Sequence, residues 1–112
     1  LSKILIVDDD LHIRDLVSLT LREEHFDVYE ACDGAEALSK LEAIKVDMVI
    51  LDVMMPTMNG WELCAELRKQ YVIPLLMLTV HGETSQKVKG FRLGADDYLV
   101  KPFDQQELIV RV

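Results

Sequence analysis

Residues 49–56 read Val49-Ile50-Leu51-Asp52-Val53-Met54-Met55-Pro56, an almost wholly apolar run holding a single carboxylate. With Met48 before it, its aliphatic start makes Met48–Leu51, which has the length and character of a strand buried on both faces. An aspartate closing such a strand needs a cause. A charge taken out of water without a partner costs several kcal/mol or is neutralised by a shift in pKa. Asp52 is therefore expected at the solvent-facing end of the strand, in the company of other polar groups.

On either side of this run, short aliphatic stretches alternate with segments of helical period, five times over. Ile4–Val7 reads as a first strand. The segment from Leu11 to about Glu24 carries Ile13, Leu16, Val17, Thr20 and Leu21 as an inward helical stripe. Val28–Ala31 is a second strand, and Asp33-Gly34-Ala35-Glu36 has the spacing of a capping box opening a helix with Ala37, Leu38 and Leu41 inward. After the third strand, Asn59-Gly60-Trp61-Glu62 is a second capping box, with Leu63, Cys64 and Leu67 on one helix face. Leu75–Leu78 is a fourth strand, a helix is expected from about Thr84 to Leu93 with Gly94 as its stop, and Tyr98–Val100 is a fifth strand. Asp104-Gln105-Gln106-Glu107 is a third capping box and starts the last helix. Five such units with apolar strands imply an α/β fold, a doubly wound parallel sheet covered by helices on both faces. An open sheet of this kind places its ligand beyond the carboxyl ends of the strands, where the strand order reverses.

The bulk properties narrow the function. At 112 residues, 1–112 form one domain with one core. The net charge of −8 excludes a domain that grips nucleic acid by itself, since phosphate neutralisation needs clustered Lys and Arg. No apolar run is long enough to span a bilayer and no signal peptide opens the chain, so a cytoplasmic protein without a membrane partner is expected. Cys32 and Cys64 form no metal-type cluster and read as free thiols in a reducing compartment. The chain starts at Leu1 and stops at Val112 within an apolar pattern, as expected of a domain excised from a longer protein.

Four sets of polar residues stand at the strand ends: Asp8-Asp9-Asp10 after the first, Asp52 at the third, Thr79 at the fourth and Lys101-Pro102 at the fifth. Singly, each has an ordinary reading as a turn or cap residue, and Asp10 immediately precedes the first helix as an N-cap should. Jointly they describe a pocket. Clustered carboxylates repel unless a cation answers them, and Mg²⁺ takes a few oxygen ligands from protein while leaving others to water and phosphoryl oxygen. Lys101 adds a fixed cation and Thr79 a hydroxyl. Asp52, alone on the central strand, is placed to act as a nucleophile on phosphorus, giving an aspartyl phosphate.

The stretches ILIVDDD with Ile13-Arg14, VILDVMMP with Asn59-Gly60, LLMLT and GADDYLVKPF resemble, in order and spacing, the receiver domain of bacterial two-component response regulators. The resemblance covers essentially the whole chain. It implies a five-stranded flavodoxin-like fold of strand order 2-1-3-4-5, and a regulatory phosphoacceptor that assists its own phosphorylation rather than an enzyme. Asp52 would accept phosphoryl from a sensor histidine kinase. Asp9 would bind Mg²⁺ (with Mn²⁺ able to substitute) directly, Asp8 through water, Asp52 as a further carboxylate ligand, and Met54 through its backbone carbonyl. Thr79 would be the switch hydroxyl, Tyr98 the switch aromatic and Lys101 the phosphate-pairing lysine, with a cis Lys101–Pro102 peptide. Lys87, Asp96, Asp97, Glu107 and Arg111 match positions that form reciprocal salt bridges in OmpR/PhoB-type regulators. These imply a homodimer through the fourth helix, fifth strand and fifth helix, and DNA contact only through a C-terminal winged-helix domain. A single-domain or phosphorelay receiver with a protein partner is the other outcome. A haloacid-dehalogenase-type phosphatase fits less well because Met54 stands where its second aspartate belongs, and Asp8–Asp10 would repel the phosphate of a flavodoxin cofactor. Val80 departs from the usual small residue, and Met54 and His81 flank the site. An apolar Met54 implies a long-lived phosphoryl state.

Overall fold

The structure, a computed structural model, describes residues 2–52, 60–79, 97–100 and 109. Lys3–Val7 (β1), Leu11–Glu23 (α1), Asp27–Ala31 (β2), Gly34–Ala43 (α2), Met48–Asp52 (β3), Gly60–Gln70 (α3), Leu75–Thr79 (β4) and Asp97–Val100 (β5) follow one another along the chain. The helices expected from about Thr84 and from Asp104 lie outside the described residues, apart from Ile109, which is helical. All five strands run one residue beyond their expected bounds, each to take in a polar residue at an end: Lys3, Asp27 and Asp97 at the start, Asp52 and Thr79 at the finish.

All strand pairs are parallel and the order is β2-β1-β3-β4-β5, as the resemblance implies. The chain steps from β1 outward to β2, then returns across β1 to β3, so the order reverses between β1 and β3. Side chains alternate across the sheet and build two cores. Leu5, Val7, Val49, Leu51, Leu75 and Met77 pack with Ala37 and Leu41 of α2 and Leu63, Cys64 and Leu67 of α3. Ile4, Ile6, Ile50, Leu76 and Leu78 pack on the other face with Val17 and Leu21 of α1. Both faces are covered, which is why these strands are apolar at every position rather than at alternate ones.

Asp10 caps α1, its carboxylate accepting the His12 N–H at 2.9 Å. The inward side of this helix comprises Val17, Ser18, Thr20 and Leu21. Leu16, expected on that stripe, is instead 39% exposed. At about 100° per residue the buried arc runs from Thr20 through Val17 to Ser18, and Leu16 falls beyond its Thr20 edge. Thr20 tolerates burial because its hydroxyl donates to the Leu16 carbonyl at 2.8 Å. In α2 the Asp33 carboxylate accepts the Glu36 N–H at 2.8 Å, one half of the expected capping box. Among the described residues, no helix is long and apolar enough to cross a membrane.

Candidate functional site

Val7 is paired with Leu51, so the next residues on these two strands, Asp8 and Asp52, stand side by side at the carboxyl edge where the strand order reverses. The Asp8 N–H closes the β1–β2 ladder on the Ala31 carbonyl at 3.1 Å. Its carboxylate accepts the Asp10 N–H at 2.9 Å, an aspartate turn that leads directly into the α1 cap. One residue thus both ends the strand and begins the helix. Asp8 is wholly buried and Asp52 only 4% exposed, while Asp9 faces solvent. The expectation that Asp52 emerges into water is corrected here: it closes β3 inside the protein, and its company is Asp8.

One carboxylate oxygen from each of Asp8, Asp9 and Asp52 lies within 4.8 Å of the others. Two unit charges at that separation repel by about 3 kcal/mol at an effective dielectric of about 20, a cost that a hard cation relieves. Three carboxylate oxygens from two buried groups and one exposed group form an all-oxygen donor set, which fits Mg²⁺ with water or phosphoryl oxygen in its remaining positions.

The backbone places three more of the expected residues. Asp52 is level with Leu78, so Thr79 stands one step further toward the same edge on the adjacent strand. Thr79 pairs with Val100, the residue before Lys101, and Tyr98 pairs with Met77, two steps below. Asp97 opens β5 opposite Leu76. Met54, Val80, His81, Lys87, Asp96, Lys101, Pro102, Glu107 and Arg111 lie outside the described residues.

A second polar group, Arg14, Arg22 and Glu30, adjoins the carboxylates, and of these only Arg14 stands in the motifs read above. Arg14 of α1 donates from Nη1 to the Asp8 carbonyl at 2.9 Å, and its Nε lies 3.4 Å from the Glu30 carboxylate of β2. Arg22, two helical turns on, donates to the Val28 carbonyl at 3.2 Å and approaches Glu30 at 3.9 Å. The spacing Arg14, Ser18, Arg22 is the signal that could have revealed this stripe, since residues four apart share a helix face. Beside it a shallow cleft of about 360 Å³ includes Arg14, Glu30, Cys32, Glu36 and Lys40 in its walls. Here the Cys32 thiol donates to Glu36 at 3.1 Å. That bond, with burial and the nearby carboxylates, pushes the thiol pKa up, and the same bond, helped by Lys40, holds the Glu36 carboxyl down.

Solved structures agree with this geometry across nearly the full chain. The chemotaxis protein CheY4 of Vibrio cholerae is 39% identical, with a TM-score of 0.95 over 99% of this chain and 95% of its own. The receiver domain of the Francisella response regulator 1452 is 38% identical, with a TM-score of 0.93 over 99% of this chain and 93% of its own. NtrX from Brucella abortus, solved in complex with ATP, is 34% identical at a TM-score of 0.92, and the match spans 98% of this chain but 26% of that one. Residues 4–112 match the response regulator receiver domain, and with the parallel sheet, its reversal point and the acidic cluster there, the chain belongs to that family.

Proposed function

We propose that the chain is a phosphorylation-dependent switch in which Asp52 accepts a phosphoryl group from the phosphohistidine of a sensor kinase. The convergence of Asp8, Asp9 and Asp52 at the reversal of the sheet carries this reading. A carboxylate oxygen of Asp52 attacks phosphorus in line; the P–O bond forms as the P–N bond breaks, and the departing imidazole takes up a proton. Mg²⁺, when bound, neutralises charge on the transferring group. Asp9 would hold it directly and Asp8 through water, with Asp52 and the Met54 carbonyl as further ligands and Mn²⁺ as a substitute. Lys101 pairs with the phosphoryl oxygens. Thr79 then donates its hydroxyl to the new phosphoryl group, and Tyr98 responds on the neighbouring strand, biasing a surface that a partner reads.

For the output, the match of Lys87, Asp96, Asp97, Glu107 and Arg111 to OmpR/PhoB-type positions supports a symmetric dimer that pairs two attached DNA-binding domains. A second reading is favoured by CheY4, of which the match spans 95%: a receiver whose output is a protein partner. Whether the gene encodes a DNA-binding domain after residue 112 distinguishes the two. The core of the proposal is tested by incubating the wild type and Asp52→Asn with a small phosphodonor and Mg²⁺. Acid-labile phosphate is expected on the wild type alone, and stoichiometric labelling of Asp52→Asn overturns the assignment.

A further inference from the structure

We propose that Arg14 is a positioning residue for the metal site, holding Asp8 in register through its main-chain carbonyl while anchored to Glu30 of β2. The inference rests on the acidic cluster being the Mg²⁺ site. Asp8 is the hinge between β1 and α1, because its N–H belongs to the sheet and its carboxylate to the first turn of the helix. Its carbonyl lies between these two commitments, and Arg14 Nη1 donates to it at 2.9 Å. A guanidinium suits this task because its planar fork can address two acceptors in fixed directions. The second direction meets Glu30, but at 3.4 Å the Nε–H makes no hydrogen bond there, so the pair is an electrostatic tether rather than a directed bond. The directed bond is the one to Asp8. Arg14 is only 16% exposed, so its place is set by packing as well as by charge.

Two effects of Arg14 on Mg²⁺ binding have opposite signs, which makes the role measurable. As a cation close to the cluster, Arg14 opposes a divalent ion, and its loss would also leave the Glu30 carboxylate to attract one. By field alone, Arg14→Met tightens Mg²⁺ binding. If Arg14 holds the Asp8 backbone, its loss loosens a carboxylate that holds the ion through water and weakens binding. Groups that orient a metal site are typically worth 10–100-fold in affinity, and we expect roughly the lower end, about tenfold, because the contact acts on the backbone of Asp8.

The test is isothermal titration of Mg²⁺ into the wild type, Arg14→Met and Arg14→Lys, with thermal unfolding in the absence of Mg²⁺ recorded beside it. Arg14→Lys keeps the charge and a single donor, so it should fold as the wild type does and bind with intermediate affinity. Weaker binding by folded Arg14→Met, partly rescued by Arg14→Lys, supports the proposal. Unchanged or tighter binding by Arg14→Met overturns it, as does wild-type affinity in Arg14→Lys should Arg14→Met fail to fold. Failure of the wild type itself to bind Mg²⁺ would instead overturn the reading of the acidic cluster, and this inference with it.

Discussion

Cys32 is exposed, yet its thiol is held on the protonated side. Glu36 accepts the S–H, and ionising the sulfur would set two anions against each other at hydrogen-bond distance. The folded protein therefore binds the thiol proton more tightly than the unfolded chain does. The stability this contributes is present below the ordinary thiol pKa and is lost as pH rises through the raised value. Glu36 has the opposite sign: its contribution is present above the ordinary carboxyl pKa and is lost as pH falls through the lowered value. Alkylation of the native protein by iodoacetamide near pH 8 should consequently be slower than for an ordinary exposed thiol, and Glu36→Ala should speed it. Cys64 is buried and does not compete. A pH–rate profile with an unshifted midpoint in the wild type would refute this. The spacing of Asp33 and Glu36 announces a capping box, and the Asp33 half forms. Spacing cannot show that a thiol one residue before the cap lies within reach of the same Glu36 carboxylate. At the preceding cap, Asp10→Ala should cost about 1 kcal/mol in urea unfolding, the usual worth of an N-cap carboxylate.

Helix α1 shows how far periodicity carries. Ile13, Val17 and Leu21 were legible as its inward line because the core demands apolar residues three to four apart. Leu16 was misplaced because periodicity marks the apolar arc and not its edges. Here the buried arc extends past the apolar residues to Ser18, beside which the half-buried Arg14 and the exposed Arg22 reach Glu30. The end of the helix was not sharply legible either, for it has no glycine. His25 adopts φ 69°, and the chain closes with His25 N–H on the Arg22 carbonyl and Phe26 N–H on the Leu21 carbonyl. A left-handed residue with a Cβ carries a strain of about 1–2 kcal/mol, so His25→Gly should be neutral to stabilising by up to about 1 kcal/mol once the greater freedom of unfolded glycine is subtracted. Substitutions on the two sides of this layer should separate cleanly. Ile50→Ala, in the central strand at no exposure, should cost about 2–5 kcal/mol by leaving a cavity. Leu16→Ser should change stability by no more than about 0.5 kcal/mol. Chemical denaturation of both variants checks the pair, and comparable losses would mean that Leu16 is covered in solution.

The acidic cluster belongs to no single element. Asp8 comes from the end of β1 and Asp52 from the end of β3, and only the return of the chain across β1 makes them neighbours. That convergence was legible because a parallel sheet collects all its carboxyl ends on one edge, whatever the loops between do. The depth of the site was not legible, since burial of Asp52 depends on what the rest of the chain packs around the edge rather than on β3 itself. The same topology predicts how the whole molecule responds to a divalent ion. A ligand that binds the native state alone stabilises it by about 2.7 kcal/mol at a concentration one hundred times its dissociation constant. Mg²⁺ should therefore raise the unfolding midpoint of the wild type in a concentration-dependent way. Asp9→Asn is the informative variant because Asp9 is the exposed member of the trio, so no buried group is disturbed. It removes one charge from a repelling cluster, and stability without Mg²⁺ should stay level or rise slightly. The increment produced by Mg²⁺ should nevertheless shrink, because a ligand has been lost. Opposite responses in the absence and presence of the ion cannot arise from general damage to the fold, which would lower both midpoints. An Asp9→Asn protein that gains as much from Mg²⁺ as the wild type would place the ion elsewhere.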